Sequence, residues 1–181
     1  ALASSDTGRA FRLLAEVEPE AERLAAAARG LLYARAGDTS SAVAVLERSE
    51  LPGRAAMVAL NGGDSVKARQ LAYAAVVAED TNAVRTGLTI IEESFPPGTA
   101  PEYLALSKAA RRLGSLRDAS QYAVETVAAG DSSVGTLVFL GDLWAARRYR
   151  SRALAAYRSA STMEGEMAAE AAFKYGRSLL L

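Results

Sequence analysis

Neither cysteine nor histidine occurs in this 181-residue chain. Their joint absence removes disulfides, thiolate metal sites, thiol nucleophiles and imidazole ligands or proton shuttles. That shortens the list of enzymes the chain can be, but fixes no compartment, because a cysteine-free protein is stable in oxidising and reducing surroundings alike. Net charge is lacking too, with 21 Lys plus Arg against 21 Asp plus Glu, so the whole-chain balance gives no electrostatic argument for nucleic acid or a membrane surface. No apolar run approaches the roughly 18 residues that a membrane span needs. The opening ALASSDTGRAF lacks the basic start and apolar core of a signal peptide. Neither G-x4-G-K-[ST] nor G-x-G-x2-G is present, so Asn61-Gly62-Gly63-Asp64 reads as a helix-stopping turn and not as an anion cradle. The acidic runs Glu92-Glu93 and Glu16, Glu18, Glu20, Glu22 read as solvated helix faces, since no pattern places them in a cleft.

Half of the residues are hydrophobic, enough for a sizeable core, and helix formers dominate. The most regular stretch is Leu137 to Ala160. Leu137, Leu140, Gly141 and Trp144 lie three, four and seven apart on one helical stripe. Gly141 lets a neighbouring helix approach closely, with Trp144 beside it to fill the space so opened. Ala153, Tyr157 and Ala160 form a small-large-small stripe on the next helix, eight residues on. Two such stripes face each other in an antiparallel hairpin, and a single hairpin cannot bury both its faces, so neighbours must stack on it.

The spacing L-x2-L-G-x2-W followed by A-x3-Y-x2-A resembles the signature of the tetratricopeptide repeat, W-x2-L-G-x2-Y then A-x3-F-x2-A. The resemblance recurs along the chain. Arg29-Gly30-x2-Tyr33 occupies the L-G-x2-Y slot, with Arg29 where leucine is usual, and Ala42, Leu46 and Ser49 follow. Between them Gly37 closes one helix in a left-handed conformation and Asp38 or Thr39 caps the next. Tyr103, Leu106, Ser107, Ala110, Gly114, Leu116, Ala119 and Ala123 fill the positions 34 residues before the Leu137 unit, with Ser107 for the tight-packing glycine. Ala10, Leu14 and Val17 on a helix over 6–17 match a second repeat helix without its first, as expected of a chain cut from a longer protein or of an irregular cap. Pro19 marks a new helix start. Tyr175-Gly176, after the break at Gly165, fits the L-G slot of a first helix or terminal cap that leaves Leu179, Leu180 and Leu181 exposed. The period breaks at 54–60, read as an insertion or a shortened first helix, before a hairpin with Ala68, Leu71, Ala72 and Ala75 on one helix and Val84, Leu88 and Ile91 on the next.

The expected architecture is therefore all-α: by resemblance a right-handed α-solenoid of antiparallel hairpins with about ten helices, forming a single domain over 1–181. The hairpins fall at about 21–49, 54–79 (irregular), 66–95, 101–129 and 133–162, with partial repeats at 6–18 and 166–181. Sel1-like and other hairpin solenoids stack in a similar way.

The resemblance implies a non-catalytic scaffold that binds a protein or peptide on the face lined by the first helix of each hairpin, with no cofactor and no metal. It places there Leu31, Ala34 and Arg35; Arg69, Tyr73 and Val76; Leu104, Lys108, Arg111 and Arg112; Val138 and Asp142; and Phe173 and Arg177. Such a mix of aromatic, aliphatic and arginine side chains suits a peptide groove, and half-exposed helix residues would read the same. Between Tyr103 and Ala160, nine basic residues face four acidic ones, so a patch around Arg111 and Arg112 suits an acidic peptide or a terminal carboxylate. The asparagines of the family's carboxylate clamp are absent. Arg147, Arg148, Arg150 and Arg152 fall at a hairpin turn, where solvated arginines beside a helix C-terminus are expected. The Ala/Arg-rich composition points to a bacterium with GC-rich coding. Arrays of this kind occur there as periplasmic or outer-membrane-associated factors for secretion, pili or exopolysaccharide export, and as cytoplasmic regulatory adaptors. Homo-oligomers formed by stacking of uncapped ends belong to the same picture. An RNA-binding helical repeat is the alternative from another class, and the neutral total charge argues against it.

Overall fold

A computed structural model describes residues 2–15 and 21–180. Val17, Pro19, Glu16, Glu18, Glu20 and Leu181, named above, lie outside the described residues. Among those described there are eleven α-helices and no strand: α1 (Leu2–Ala15), α2 (Glu22–Arg35), α3 (Thr39–Arg48), α4 (Pro52–Asn61), α5 (Ser65–Val77), α6 (Thr81–Ser94), α7 (Ala100–Arg112), α8 (Leu116–Ala128), α9 (Val134–Ala146), α10 (Arg150–Ser161) and α11 (Ala168–Leu180). The described residues build antiparallel helical hairpins and an all-α arrangement. The chain forms two compact units, 1–96 with α1 to α6 and 97–181 with α7 to α11.

The helix boundaries follow from local chemistry. Gly37 has φ +82°, Gly63 +83° and Gly114 +80°, each two residues past the last helical residue, a conformation that costs glycine nothing. At each, the next residue's amide reaches back to a carbonyl of the finished helix: Asp38 to Tyr33, Asp64 to Ala59, Ser115 to Ala110. Asp38 and Asp64 then cap the following helix, their carboxylates accepting from the amides of Ser41 at 3.0 Å and Lys67 at 2.9 Å. Asn61-Gly62-Gly63-Asp64 is thus a stop and a start in four residues. The same turn closes α9 with Arg148 in the glycine position at φ 62°, its neighbour Tyr149 donating to the Trp144 carbonyl.

The first unit pairs α2 with α3 and α4 with α5, while α6 packs on both α4 and α5. The stretch at 54–60 is therefore the middle of a ten-residue helix begun by Pro52 in its first turn. It is the first helix of a hairpin with α5, and α5 serves a second neighbour in α6. Gly53 and Gly87 make this possible. A β-carbon on Gly53 would stand 3.2 Å from the Ala83 backbone, and one on Gly87 2.6 Å from the Ala72 carbonyl oxygen. The core here is made of small residues, with Ala42, Ala55, Ala56, Ala68, Ala72 and Ala75 all fully buried around Leu46, Val84 and Ile91.

In the second unit α7 pairs with α8, α9 with α10, and α11 packs on α10 and α9. Its core is built of large side chains: Leu140, Leu143, Trp144 and Tyr157 with Ala110, Ala119, Ala123 and Ala153. One rule relates the hairpins of both units. The slot glycine of the first helix receives the large side chain of the second, sixteen residues later: Gly30 faces Leu46, whose Cγ would be 2.6 Å from an added β-carbon, and Gly141 faces Tyr157, with Cδ1 at 2.6 Å. Tyr157, not Trp144, fills the space at Gly141. Trp144 meets Tyr149 edge-on, ring centroids 5.5 Å apart. Where Ser107 replaces the glycine, Ala123 replaces the large residue, and the buried Ser107 hydroxyl donates to the Ala119 carbonyl.

Candidate functional site

The first helices of successive hairpins in the first unit, α2 and α4, leave a groove of about 480 Å³ lined by Leu31, Ala34, Met57, Val58, Arg54, Asn61 and their neighbours. Leu31 is 57% and Met57 47% exposed, a costly display for two large apolar side chains in one cleft unless a ligand covers them. A second cleft, of about 420 Å³, lies between α2, α4 and the start of α6 and is polar, with Arg23, Arg54, Asp80 and Asn82 on its walls. Arg54 belongs to both, so an apolar pocket and a charged one meet at a single guanidinium.

In the second unit the corresponding face carries charge. Lys108, Arg111 and Arg112 of α7 are exposed, and the Arg111 guanidinium lies over the ring of Phe139 on α9, 5.3 Å from its centre, within reach of a cation–π attraction. Lys108 stands near Asp131, which caps the approach to α9: its carboxylate accepts from the Thr136 hydroxyl at 2.8 Å and from the Ser133 amide at 3.0 Å. Those bonds, Thr136 first, hold the Asp131 carboxyl below its ordinary value, and the Lys108 charge adds to them.

Beyond Phe139 the face is tied to itself. Asp142 accepts from Lys174 Nζ at 2.7 and 2.8 Å and from the Tyr157 hydroxyl at 2.7 Å, while Lys174 also pairs with Glu170 at 2.9 Å. Burial, with the Asp142 hydrogen bond and charge, pushes the Tyr157 hydroxyl well up. Burial lowers Lys174, but its bonds to Asp142 and Glu170 outweigh that and leave it raised. This cluster of one tyrosine, one lysine and two carboxylates fastens α11 to α9 and α10. Among the described residues no group of three or more potential ligands could hold a metal ion, and no helix is long and apolar enough to cross a membrane.

The residues expected on the binding face divide clearly. Leu31, Lys108, Arg111 and Arg112 are exposed on first helices, beside the half-buried Leu104, while Arg35 is exposed at the end of α2. Arg69 and Tyr73 sit on α5, a second helix, with the guanidinium 5.8 Å from the ring centre, and neither lines the α2/α4 groove. Val76 is buried. Val138 is also buried, packed with Val134, Ala160 and Ala171, and offers a ligand nothing: in α9 the residue after the signature leucine turns toward α11. Asp142 is half-buried and committed to Lys174. Phe173 and Arg177 are exposed on α11.

Met57, Arg54 and Phe139 were not legible as face residues. Met57 and Arg54 follow from α4 being a first helix, which its short length concealed. Phe139 follows two residues after Leu137, in a helix so uniformly apolar that periodicity marks no face. The four arginines at the α9–α10 turn are not simply solvated. Arg147 donates to the Ser120 hydroxyl and stacks on Trp144 and Tyr149 at 5.2 and 4.8 Å. Arg152 covers the same rings at 4.7 and 5.4 Å. Arg150 caps α11 by donating to the Ser178 and Leu179 carbonyls, both at 3.1 Å. Arg148 is the member of the run that stands exposed without such a contact among the described residues.

No family model matches the sequence, and no curated protein matches it. Among solved structures, the chain is similar to a thermophilic TPR protein of Thermus thermophilus, with a TM-score of 0.46 and 18% identity over 88% of this chain and 100% of that one.

Proposed function

We propose that the chain is a non-catalytic interaction scaffold with a polypeptide-binding face on each unit, taking an apolar anchor between α2 and α4 in the first and acidic residues on the basic face of α7 in the second. The observation that carries this reading is the α2/α4 groove, where Leu31 and Met57 stand exposed beside Arg54. Apolar anchors rimmed by arginine are the composition of protein-binding hot spots. Lys108, Arg111 and the ring of Phe139 support the acidic half, because a guanidinium held over an aromatic ring still has all its N–H donors to offer a carboxylate. As setting we propose an envelope secretion, pilus or exopolysaccharide-export assembly, a reading supported only by the bacterial flavour of the composition.

The test is a displayed-peptide selection against the wild-type chain, followed by fluorescence anisotropy of the selected peptides with two variants, Leu31→Asp/Met57→Asp and Lys108→Glu/Arg111→Glu. Selected sequences should carry either a large apolar residue or a run of carboxylates, and each kind should be weakened at least tenfold by the variant of its own face, which keeps its helical circular dichroism. Peptides bound equally by both variants would overturn the reading. Binding of single-stranded RNA, falling steeply with salt, would replace it with the alternative.

A further inference from the structure

Charge in the second unit is sorted by edge. Its successive helices run antiparallel, so the C-terminal ends of α7, α9 and α11 and the N-terminal ends of α8 and α10 lie along one edge. Arg150, at the start of α10, donates to carbonyls of the last turn of α11 and ties two of these ends together. Within a turn of the C-terminal ends stand Arg111, Arg112, Arg147, Arg148 and Arg177, and within a turn of the N-terminal ends Arg117, Arg150 and Arg152. Asp118 is the one carboxylate at these ends among the described residues, and it accepts from the Ser115 hydroxyl. The opposite edge reverses the sign, with Glu102, Glu125, Asp131, Glu164, Glu166 and Glu170 against Arg158.

Helix stability does not ask for this arrangement. Cations suit the carbonyl ends of α7, α9 and α11, but at the amide ends of α8 and α10 the helix dipole favours carboxylates, and α10 has no acidic residue in its first turn. Arg117 and Arg152 stand there all the same. Among the described residues no carboxylate pairs with Arg117, Arg147, Arg148 or Arg152. Arg147 and Arg152 are instead gathered over the same two rings, Trp144 at 5.2 and 4.7 Å and Tyr149 at 4.8 and 5.4 Å, which sets like charges side by side. Tyr149, among them, is 45% exposed.

We propose that this edge docks on an anionic lipid bilayer, the arginines meeting phosphate headgroups and Tyr149 entering the interfacial layer. Arginines collected at one edge are attracted by the negative surface potential of such a bilayer, and tyrosine, with an apolar ring and a polar tip, is a residue type that settles at headgroup depth. Hairpin turns make an outer edge and not a groove, which suits an extended surface. A single nucleic acid strand shares the phosphate chemistry but also needs aromatic faces for its bases. Here Arg147 and Arg152 lie over the rings of Trp144 and Tyr149, and Trp144 is buried. The acidic edge is repelled by the same bilayer, which orients the unit on it. Equal totals of basic and acidic residues conceal this attraction. The two edges stand a helix length apart, about 20 Å, against a screening length of about 10 Å, so a bilayer feels one edge at a time.

Vesicle co-sedimentation tests this, with phosphatidylglycerol mixed into phosphatidylcholine against phosphatidylcholine alone. The wild type should bind the mixed vesicles, ignore the neutral ones and release as salt rises. Arg117→Glu/Arg148→Glu changes two exposed side chains that make no hydrogen bond or ion pair among the described residues, and should weaken binding at least tenfold. The milder Arg117→Gln/Arg148→Gln should weaken it less and carries the test if the reversal disturbs the circular dichroism melt. Glu164→Lys/Glu166→Lys adds to the far edge the charge that the reversal removes from the near one, and should leave binding within about twofold of the wild type. Failure of the wild type to bind mixed vesicles, or undiminished binding by both arginine variants, overturns the proposal. So does a gain from the far-edge variant as large as the loss from the near-edge one, which would make net charge the cause. Tighter capture of single-stranded RNA than of vesicles overturns it in favour of nucleic acid. Leu31→Asp/Met57→Asp, which spoils the peptide groove, should bind vesicles like the wild type, so the two readings fail separately.

Discussion

The two units build the same hairpin at two lengths. From Gly37 to Gly63, equivalent turn positions in the first unit, the step is 26 residues; from Gly114 to Arg148 in the second it is 34. The missing eight residues are accounted for. α3 and α4 have ten residues each where α8 and α9 have thirteen, and three residues join α3 to α4 where five join α8 to α9. Shorter helices offer less length to pack, and the first unit compensates by closeness, with alanine cores and glycines set against backbone. The second unit keeps full-length helices apart with Leu143, Trp144 and Tyr157. One unit is held by backbone approach and the other by side-chain volume, and substitutions should tell them apart.

The largest difference should come from adding a single methyl. At Gly87 a β-carbon meets the carbonyl oxygen of Ala72 and the amide nitrogen of Val76, 2.6 and 3.0 Å away, whereas at Gly141 its three nearest atoms all belong to the Tyr157 ring. Backbone cannot swing aside and a ring can shift. Gly87→Ala should therefore cost about 3 kcal/mol and Gly141→Ala nearer 1 kcal/mol, with Gly141→Leu restoring parity by overpacking the ring. Urea denaturation of each variant measures this, and equal costs would remove the distinction between the units.

A smaller effect separates them by pH. Tyr157 and Lys174 are both raised in the folded second unit. A raised group is bound to its proton more tightly in the folded state, so its contribution is complete below the unfolded value and is lost as pH climbs toward the folded one. The ordinary values are 10.0 and 10.5, which puts the loss above about pH 10. The second unit should lose stability there, and Tyr157→Phe with Lys174→Met should flatten that slope while costing about 1 kcal/mol at neutral pH. Melting curves at pH 8 and pH 10.5, followed by Trp144 fluorescence, read the second unit alone because the chain has one tryptophan.

The smallest predicted change is a gain. Arg148 holds φ 62° where the equivalent turns use glycine, a conformation that costs other residues about 1 kcal/mol. Arg148→Gly should raise stability by roughly 0.5 kcal/mol after allowing for the looser unfolded chain, while Gly114→Ala at the matching turn should lower it by a similar or larger amount. A loss on Arg148→Gly would mean that the side chain contributes more than its strained backbone costs.

Much of the fold was legible because helical hairpins announce themselves at short range. Gly37-Asp38 reads as a turn without knowledge of anything distant, and Ala153, Tyr157 and Ala160 mark one face by spacing alone. Where the reading faltered, two assignments satisfied the same local pattern. Ala68, Leu71, Ala72 and Ala75 fit a first helix as well as they fit a second, and only the packing of α5 between α4 and α6 shows how it is used. The candidate face suffered from the same ambiguity. Leu31, Lys108 and Arg111 are exposed on the first helices where they were expected, but Met57 and Arg54 went unread with α4, and Val138 is buried where exposure was expected, because a uniformly apolar helix hides which side faces the core.

The sequence by itself determined the helical class, the hairpin turns, the stripes of small and large residues on each helix, and the absence of thiol and imidazole chemistry, all set by residue types close together in the chain. Tertiary structure decided the rest: that α4 is the first helix of a hairpin, that Tyr157 and not Trp144 fills the Gly141 socket, and that the turn arginines lie over aromatic rings and cap a helix. Each of these depends on which surfaces meet across helices, and one stretch of chain, taken alone, carries no record of the neighbour that will cover it.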